Sequence, residues 1–566
     1  MNTIKALYKS IFLAVLILFS ACEDLTELNV NENGVSQSTA NPNLLMPTVM
    51  TGVANSYLDL GIMDIAGAMQ HTQKTGWYSA HNSYDWTPRD WSPWYGYERT
   101  NKLIYERAVE LNWPFHQGVA LTMKSFIYGT ITDLWGDAPY SEAVKGDEGS
   151  EFVQPVFDAQ DAIYAGIIED LKTASALFAS GDVTGISDSY DVFYGGDMAK
   201  WQKFANSLLL RYYLRISDKN ASMAKSGIEE IYSSGIYISD ASDDAVMDFI
   251  GANASNSFPT SVTDDGTKFR NAKACVTLLD NLVANNDPRL EVWFEPVRVR
   301  WVEDLALGTK MDEFIRKNGV LTGKTDIKDE EYREEKESDP SVVYTRHFNP
   351  TLFGANETKP VASEYVGIPP GLIGPDYYNF NPTPGQTVEN QHVSQYDDIY
   401  RDLSGSLLKA RLISAAETHF ILAEAALKGW SVGSAETNYD NGVKSSLDTW
   451  DVGGDFASYI AEPGVAFDGT LEQIIEQKWI ASWTSAVESW MDYRRTGLPA
   501  LQAGPASPEP VLPVRFIYSD DETLRNETNA NDAIDRLEET SYSDLRGANS
   551  QWSKPWIIQG TGKPWE

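Results

Sequence analysis

Apolar residues recur along this chain at helical spacing, and that pattern limits the fold more than any other feature. Val119, Met123, Phe126, Ile127, Ile131 and Leu134 share one face of a helix, and Ile163, Ile167, Leu171, Ala174 and Phe178 share another. Trp201, Phe204, Leu208 and Tyr212 mark a third amphipathic face. Ala415 to Trp430 and Ala435 to Trp450 flank Gly433 as a helix–turn–helix unit, with small residues (Ala423, Ala426, Ala435) where two helices can cross closely. Leu471 to Tyr493 reads as one last long helix, ended by cationic Arg494-Arg495 and by Gly497 as C-cap. Trp479, Trp483 and Trp490 keep helical spacing within it and read as core. Between about residues 240 and 410 the periodicity breaks into segments rich in Gly, Pro and Asn, such as Pro369-Pro370-Gly371. The fold class is therefore mainly α, a tetratricopeptide-like helix-pair scaffold carrying long irregular loop insertions. Within the insertion, Lys328 to Asp339 reads as a solvated charged excursion.

The chain must build its own core. Only Cys22 and Cys275 are present, so no disulfide framework and no CxxC metal or redox site exists. Its 566 residues, 42% hydrophobic and 12% aromatic, are long and apolar enough for one large core. The formal charge of −36 repels nucleic acid and anionic lipid headgroups and favours a neutral ligand.

The start of the chain carries Lys5 and Lys9, an apolar run from Ile11 to Phe19, and Ser20-Ala21-Cys22. That run is too short to cross a bilayer as a mature helix and reads as a signal peptide over residues 1–22, with Cys22 as the lipidated residue. Phe19 stands where a lipobox usually has an aliphatic residue. Residues 23–45 are polar and Asn-rich and read as a tether, leaving 46–566 as a single domain that includes the loop-rich insertion.

The six histidines include no HxxxH pair, and there is no GxSxG elbow, P-loop or GxGxxG turn. No metal or cofactor is expected. A glycosidase needs only two carboxylates, which 81 acidic residues leave open. The densest chemical signal runs from Trp77 to Tyr97, where Trp77, Tyr78, Tyr84, Trp86, Trp91, Trp94, Tyr95 and Tyr97 alternate with polar residues. Pro88 and Pro93 keep the stretch irregular, so these rings cannot form one helical core stripe. Flat rings stack on the C–H faces of sugars, while planar side chains grip hydroxyl pairs at the rim. The expected stacking set is Trp77 or Tyr78 with Trp86, Trp91 and Trp94, and the expected polar grip is Asn82, Asp85 and Arg89. Trp293, Trp301, Tyr377, Tyr378 and Phe380 could complete the groove from the insertion, and Tyr377 and Tyr378 are counted as ligand-binding candidates.

Several segments together resemble the SusD/RagB family of nutrient-binding outer-membrane lipoproteins of Bacteroidetes. They are Asn41 to Pro47, Thr132-Asp133-Leu134-Trp135-Gly136-Asp137-Ala138-Pro139-Tyr140, Asn286 to Leu290, Ala423 to Ala426, and Glu488 to Gly497. Glu23-Asp24 after the cysteine also looks like the surface-export signal of such lipoproteins. The resemblance implies four tetratricopeptide-like helix pairs decorated by loops that form a glycan site. It further implies a non-catalytic lid over a TonB-dependent, SusC-like transporter, anchored by lipid to the outer membrane and facing outward. In such proteins one stacking ring comes from the loop that Trp86 to Tyr95 occupies here. Rival readings are capture of peptide or another nutrient, a surface glycoside hydrolase, and a pure protein scaffold in which the aromatic loop is buried.

Overall fold

The computed structural model describes residues 37–76, 78–259, 272–385, 389–543 and 545–565. The segment 1–22 expected as a signal peptide, Cys22 included, lies outside the described residues, as does Trp77. Helices of nine or more residues are numbered here. They are α1 (Pro42–Ile62), α2 (Ser92–Glu110), α3 (Pro114–Trp135), α4 (Gln160–Ala179), α5 (Met198–Arg215), α6 (Ala221–Ser234), α7 (Val276–Ala284), α8 (Asp329–Ser338), α9 (Ala415–Leu427), α10 (Ala435–Thr449), α11 (Leu471–Ala481), α12 (Ala486–Thr496) and α13 (Glu527–Asp535).

Each helix from α1 to α5 packs on the next in sequence, α9 packs on α10, and α9 also meets α5 and α11. That neighbour-on-neighbour stacking is the helix-pair scaffold expected from the periodicity. Asn41 begins α1 by accepting the Asn43 amide at 3.0 Å, with Pro42 in the first turn, so the helix starts within the last residues of the segment 23–45. Helix α3 ends at Gly136, whose φ of 97° only glycine adopts readily. Gly129 on α3 sits against the Tyr212 ring of α5, where a β-carbon would collide with the phenol.

The break between α11 and α12 corrects the expectation of one helix from 471 to 493. Thr484, at φ 67°, turns the chain between them. The three tryptophans are core as expected, each at most 3% exposed.

Three small sheets lie in the insertion or join it to flanking segments. Strand β1 (Thr72–Lys74) pairs antiparallel with β3 (Ala272–Ala274), and β2 (Ala245–Asp248) with β8 (Lys409–Ile413). A third sheet has the order β4 (Arg300–Glu303), β7 (Tyr344–Phe348), β5 (Arg316–Lys317), β6 (Val320–Leu321), with β4 and β7 parallel. The charged run expected to be a solvated excursion is helix α8. Its first residue, Asp329, is buried among Arg298, Arg333 and Arg401, which hold its carboxyl below the usual range although burial opposes this.

A buried acid on α2 gives a pH-dependent prediction. Glu98 is buried, accepts an Asn101 amide hydrogen bond at 3.0 Å, and is pushed by burial up to about 8. A carboxyl raised in the folded state stabilises fully below its unfolded value and loses that contribution as pH rises through the folded one. Glu98→Gln is therefore expected to raise the melting temperature at about pH 9 and to leave it nearly unchanged at about pH 4. Thermal melts of both proteins across that range check the sign.

Candidate functional site

Four segments distant in sequence are stitched into one loop face. Strand β3 runs on into Cys275, whose amide donates to His71, and the Ala274 carbonyl accepts the Ile368 amide at 2.9 Å. Gln70 reaches in two directions, its amide donating to the Gln502 carbonyl at 2.7 Å and its oxygen accepting the Thr277 hydroxyl at 2.7 Å. Gln73 on β1 accepts the Gly371 amide at 2.9 Å and donates to the Gly67 carbonyl. Gly371, at φ 56°, presses on Gly504 so closely that a β-carbon would meet backbone at 2.8 Å. These bonds order residues 70–74, 272–277, 366–371 and 502–506 as one support.

From that support rises a 3-10 turn, Pro375–Phe380. Gly374 and Asn379 both adopt positive φ, and three side chains lock the turn. Asn379 accepts the Val361 amide at 2.8 Å and donates to the His392 carbonyl, Trp301 donates its indole N–H to the Asn379 carbonyl, and Asn390 donates to the Tyr378 carbonyl at 2.9 Å. Tyr377 projects outward with 68% of its surface exposed. Among the described residues only Tyr105 is another exposed aromatic, at 37%. Tyr378 is half-buried, and burial, then the nearby Asp280 charge, raise its phenol above the usual range. Exposed Ile373 precedes the turn and half-buried Asp376 lies within it. A rigid turn presenting an exposed phenol face close in sequence to the Asp376 carboxylate can stack on a flat apolar ring face and bond a hydroxyl.

The aromatic loop is placed differently from expectation. Trp86, Trp91 and Trp94 are buried, at 1%, 4% and 5% exposure, and offer no open face for stacking. Trp86 packs edge-on against Trp490 and Phe516 and donates its N–H to the Ala80 carbonyl at 3.0 Å. Trp91 lies among Tyr95, Trp135, Phe157 and Tyr518 and donates to Glu522 at 2.9 Å. The expected polar grip serves the loop itself. Asn82 is fully buried and pairs with the backbone of Lys74 at 2.8 and 2.9 Å. Asp85, though exposed, accepts the Ala80 amide and the Ser83 hydroxyl. Arg89 pairs with Asp64 and lies over the Phe516 ring at 4.9 Å. Tyr78 is half-buried, and its carbonyl accepts the Asn82 amide. Trp293 and Trp301 are core as well. Of the expected rings among the described residues, Tyr377 is the exposed one, with Tyr78, Tyr378 and Phe380 half-buried. Gln70 and Gln73, which position the face, carry no local sequence signal.

Burial holds His71 at about 4, His81 at about 3, His116 at about 4 and His392 at about 3, so these imidazoles are neutral. His347 pairs with Asp304 at 3.0 Å in the insertion sheet. Among the described residues no group of three or more His, Cys, Asp or Glu is placed to hold a metal ion, and no helix is long and apolar enough to cross a membrane.

A SusD-like family model described as "Starch-binding associating with outer membrane" matches residues 33–311 and 351–519. No curated protein matches the chain. Solved structures share the fold. An outer membrane protein of Bacteroides vulgatus described in terms of nutrient binding is 22% identical, covers 92% of this chain and 100% of its own, and superposes with a TM-score of 0.68. A SusD homolog of Bacteroides fragilis is 20% identical over 92% of this chain and 99% of its own, with a TM-score of 0.67. A chitin-binding protein is 23% identical over 92% of this chain and 100% of its own, with a TM-score of 0.66. With the family model spanning most of its length and the helix-pair scaffold in place, the chain belongs to the SusD-like family of outer-membrane-associated binding proteins.

Proposed function

We propose that this chain captures a neutral glycan at the cell surface without cleaving it and passes it to a TonB-dependent transporter. In this reading the signal peptide is cleaved immediately before Cys22, Cys22 carries the lipid anchor, and the segment before α1 tethers a single domain on the outer face of the outer membrane. One observation carries the binding role: Tyr377 stands largely exposed on a turn whose backbone is fixed by Asn379, Trp301 and Asn390. A ring held rigid before the ligand arrives loses little entropy on binding. Tyr378 and Tyr78 are secondary contacts in the same reading, and the acid surplus disfavours sulfated or uronate-rich polymers.

Affinity electrophoresis of the protein through gels containing a panel of polysaccharides tests this. Retardation by one neutral glycan, unaffected by moderate salt and without shortening of the polymer, is the expected result. Tyr377→Ala is expected to weaken that retardation by about 1–3 kcal/mol, the range for loss of one stacking ring on a base. Shortening of the polymer by the pure protein would establish a hydrolase. Absence of retardation by every neutral and anionic glycan, with retention of peptides, would overturn the glycan reading.

A further inference from the structure

A second concave surface shares no lining residue with the loop face. It is a cleft of about 530 Å³ lined by Trp91, Pro139, Ala143, Val153, Pro155 and Glu522. Its walls come from far apart in sequence and are fastened together. Gln154 donates to the Arg525 carbonyl at 2.6 Å, and Asn526 donates to the Pro155 carbonyl at 2.7 Å. The segments that line it carry exposed apolar side chains: Val153 of the lining at 68% exposure, Val156 next to Pro155, and Leu524 next to Arg525 at 78%. A cluster of exposed aliphatic side chains around a concavity is the arrangement of a protein-docking site, where an apolar centre is sealed by a polar rim.

The rim is acidic. Asp90, Asp521 and Glu522 face the cleft against one cation, Arg525, which already pairs with Asp521 at 3.3 Å. That sign rejects an anionic lipid surface, and it rejects a second copy of a chain carrying −36, whose own acids would meet these across a twofold axis. A glycan is disfavoured for another reason. Trp91 is buried among other rings and its N–H is spent on Glu522, while the Asn526 amide is spent on Pro155. What fits is apolar at its centre and cationic at its edges.

We propose that this cleft docks a protein segment that inserts one large apolar side chain and flanks it with lysine or arginine. The proposal does not depend on which nutrient the loop face binds. The test is photo-cross-linking in the native cells, with p-benzoylphenylalanine in place of Val153 in the full chain and, separately, in place of Leu524. The attachment point is mapped by mass spectrometry. The expected product joins the chain to one other protein, at a segment bearing a large apolar residue between Lys or Arg residues. With the cross-linker at position 153, Leu524→Asp or the pair Asp90→Lys and Asp521→Lys is expected to lower the yield at least about tenfold, the loss of one hot-spot contact or of the steering charges. All three substituted positions are exposed, so circular dichroism should match the parent protein. Cross-links solely to lipid or to a second copy, a partner segment lacking the cationic flanks, no cross-link above that from exposed Leu305 in the insertion, or a yield indifferent to the substitutions would each overturn it.

Discussion

Replacing Glu488 with alanine is expected to cost about 3–5 kcal/mol of folding stability, enough to empty most of the soluble yield of a domain whose total stability is about 5–15 kcal/mol. The carboxylate sits on α12 at the centre of the helix scaffold, 8% exposed. It accepts hydrogen bonds from Arg215 on α5 and from the Tyr57 hydroxyl on α1 at 3.0 Å, with Arg211 at 3.5 Å. Arg211 in turn grips Glu417 on α9 with two bonds of 2.7 Å, and Arg215 faces Asp133 on α3 at 3.6 Å. Glu488 thus ties three helices directly, and through the two arginines the network joins five. Removing Glu488 leaves two guanidinium groups facing a hole with one fewer countercharge, and a buried unpaired charge is what makes such a truncation costly.

The same network sets an acid limit. Burial opposes ionisation of Glu488, but Arg211 and Arg215 prevail and hold its carboxyl below the usual range. Asp492, beside Lys478 and Arg495, and Glu424, beside Arg495, are likewise held low against burial. A carboxyl depressed in the folded state contributes stability above its unfolded value, and that contribution is lost as pH falls through the folded one. Denaturant titrations should therefore show stability collapsing below about pH 4, and Glu488→Gln, weaker at neutral pH, should fall less steeply in that window. Equal acid slopes for the two proteins would mean that Glu488 is not ionised in the fold.

Most of the scaffold was legible because an amphipathic helix writes its burial into the spacing of its own residues. Helices α3, α4 and α5 appear where the apolar periodicities place them. The division at Ser482 to Ser485 escaped because Trp479, Trp483 and Trp490 keep helical spacing across it, so the stripe continues although the backbone turns at Thr484. Helix α8 escaped because its anchor is one acid, Asp329, bound by arginines up to about seventy residues away. The aromatic loop misled for a related reason. Its prolines exclude a helix, but irregular backbone can still be buried when partners reach it, and here Arg89 donates its amide to the Ile517 carbonyl while Phe516 and Tyr518 close over Trp86 and Trp91. Those partners lie more than four hundred residues away, where no local pattern records them. Tyr377 lies within the expected set, but its exposure rests on Asn379 and Asn390, whose role only the folded chain reveals.

Trp86→Ala is expected to destabilise the protein by about 3–5 kcal/mol, as truncation of a large buried ring does. The indole is 1% exposed, contacts Trp490 and Phe516 edge-on with centroids 5.3 and 5.2 Å away, and holds the Ala80 carbonyl by its N–H. Deleting it opens a cavity between the loop, α12 and the segment at Phe516, and frees a carbonyl at a residue of positive φ (62°). Trp86→Phe keeps most of the ring contact and loses the hydrogen bond, so it should cost less, on the order of 1 kcal/mol for the bond plus the lost ring volume. Paired with Tyr377→Ala, the substitution separates the two roles that aromatic residues take in this chain. Tyr377, lacking buried contacts to lose, should leave the denaturation midpoint unchanged while weakening glycan retention. Trp86→Ala should shift the midpoint strongly, and the protein that remains folded should retain glycan as the parent does. The reverse result, a stable Trp86→Ala protein that no longer retains glycan, would return the aromatic loop to the binding site and remove Tyr377 from it.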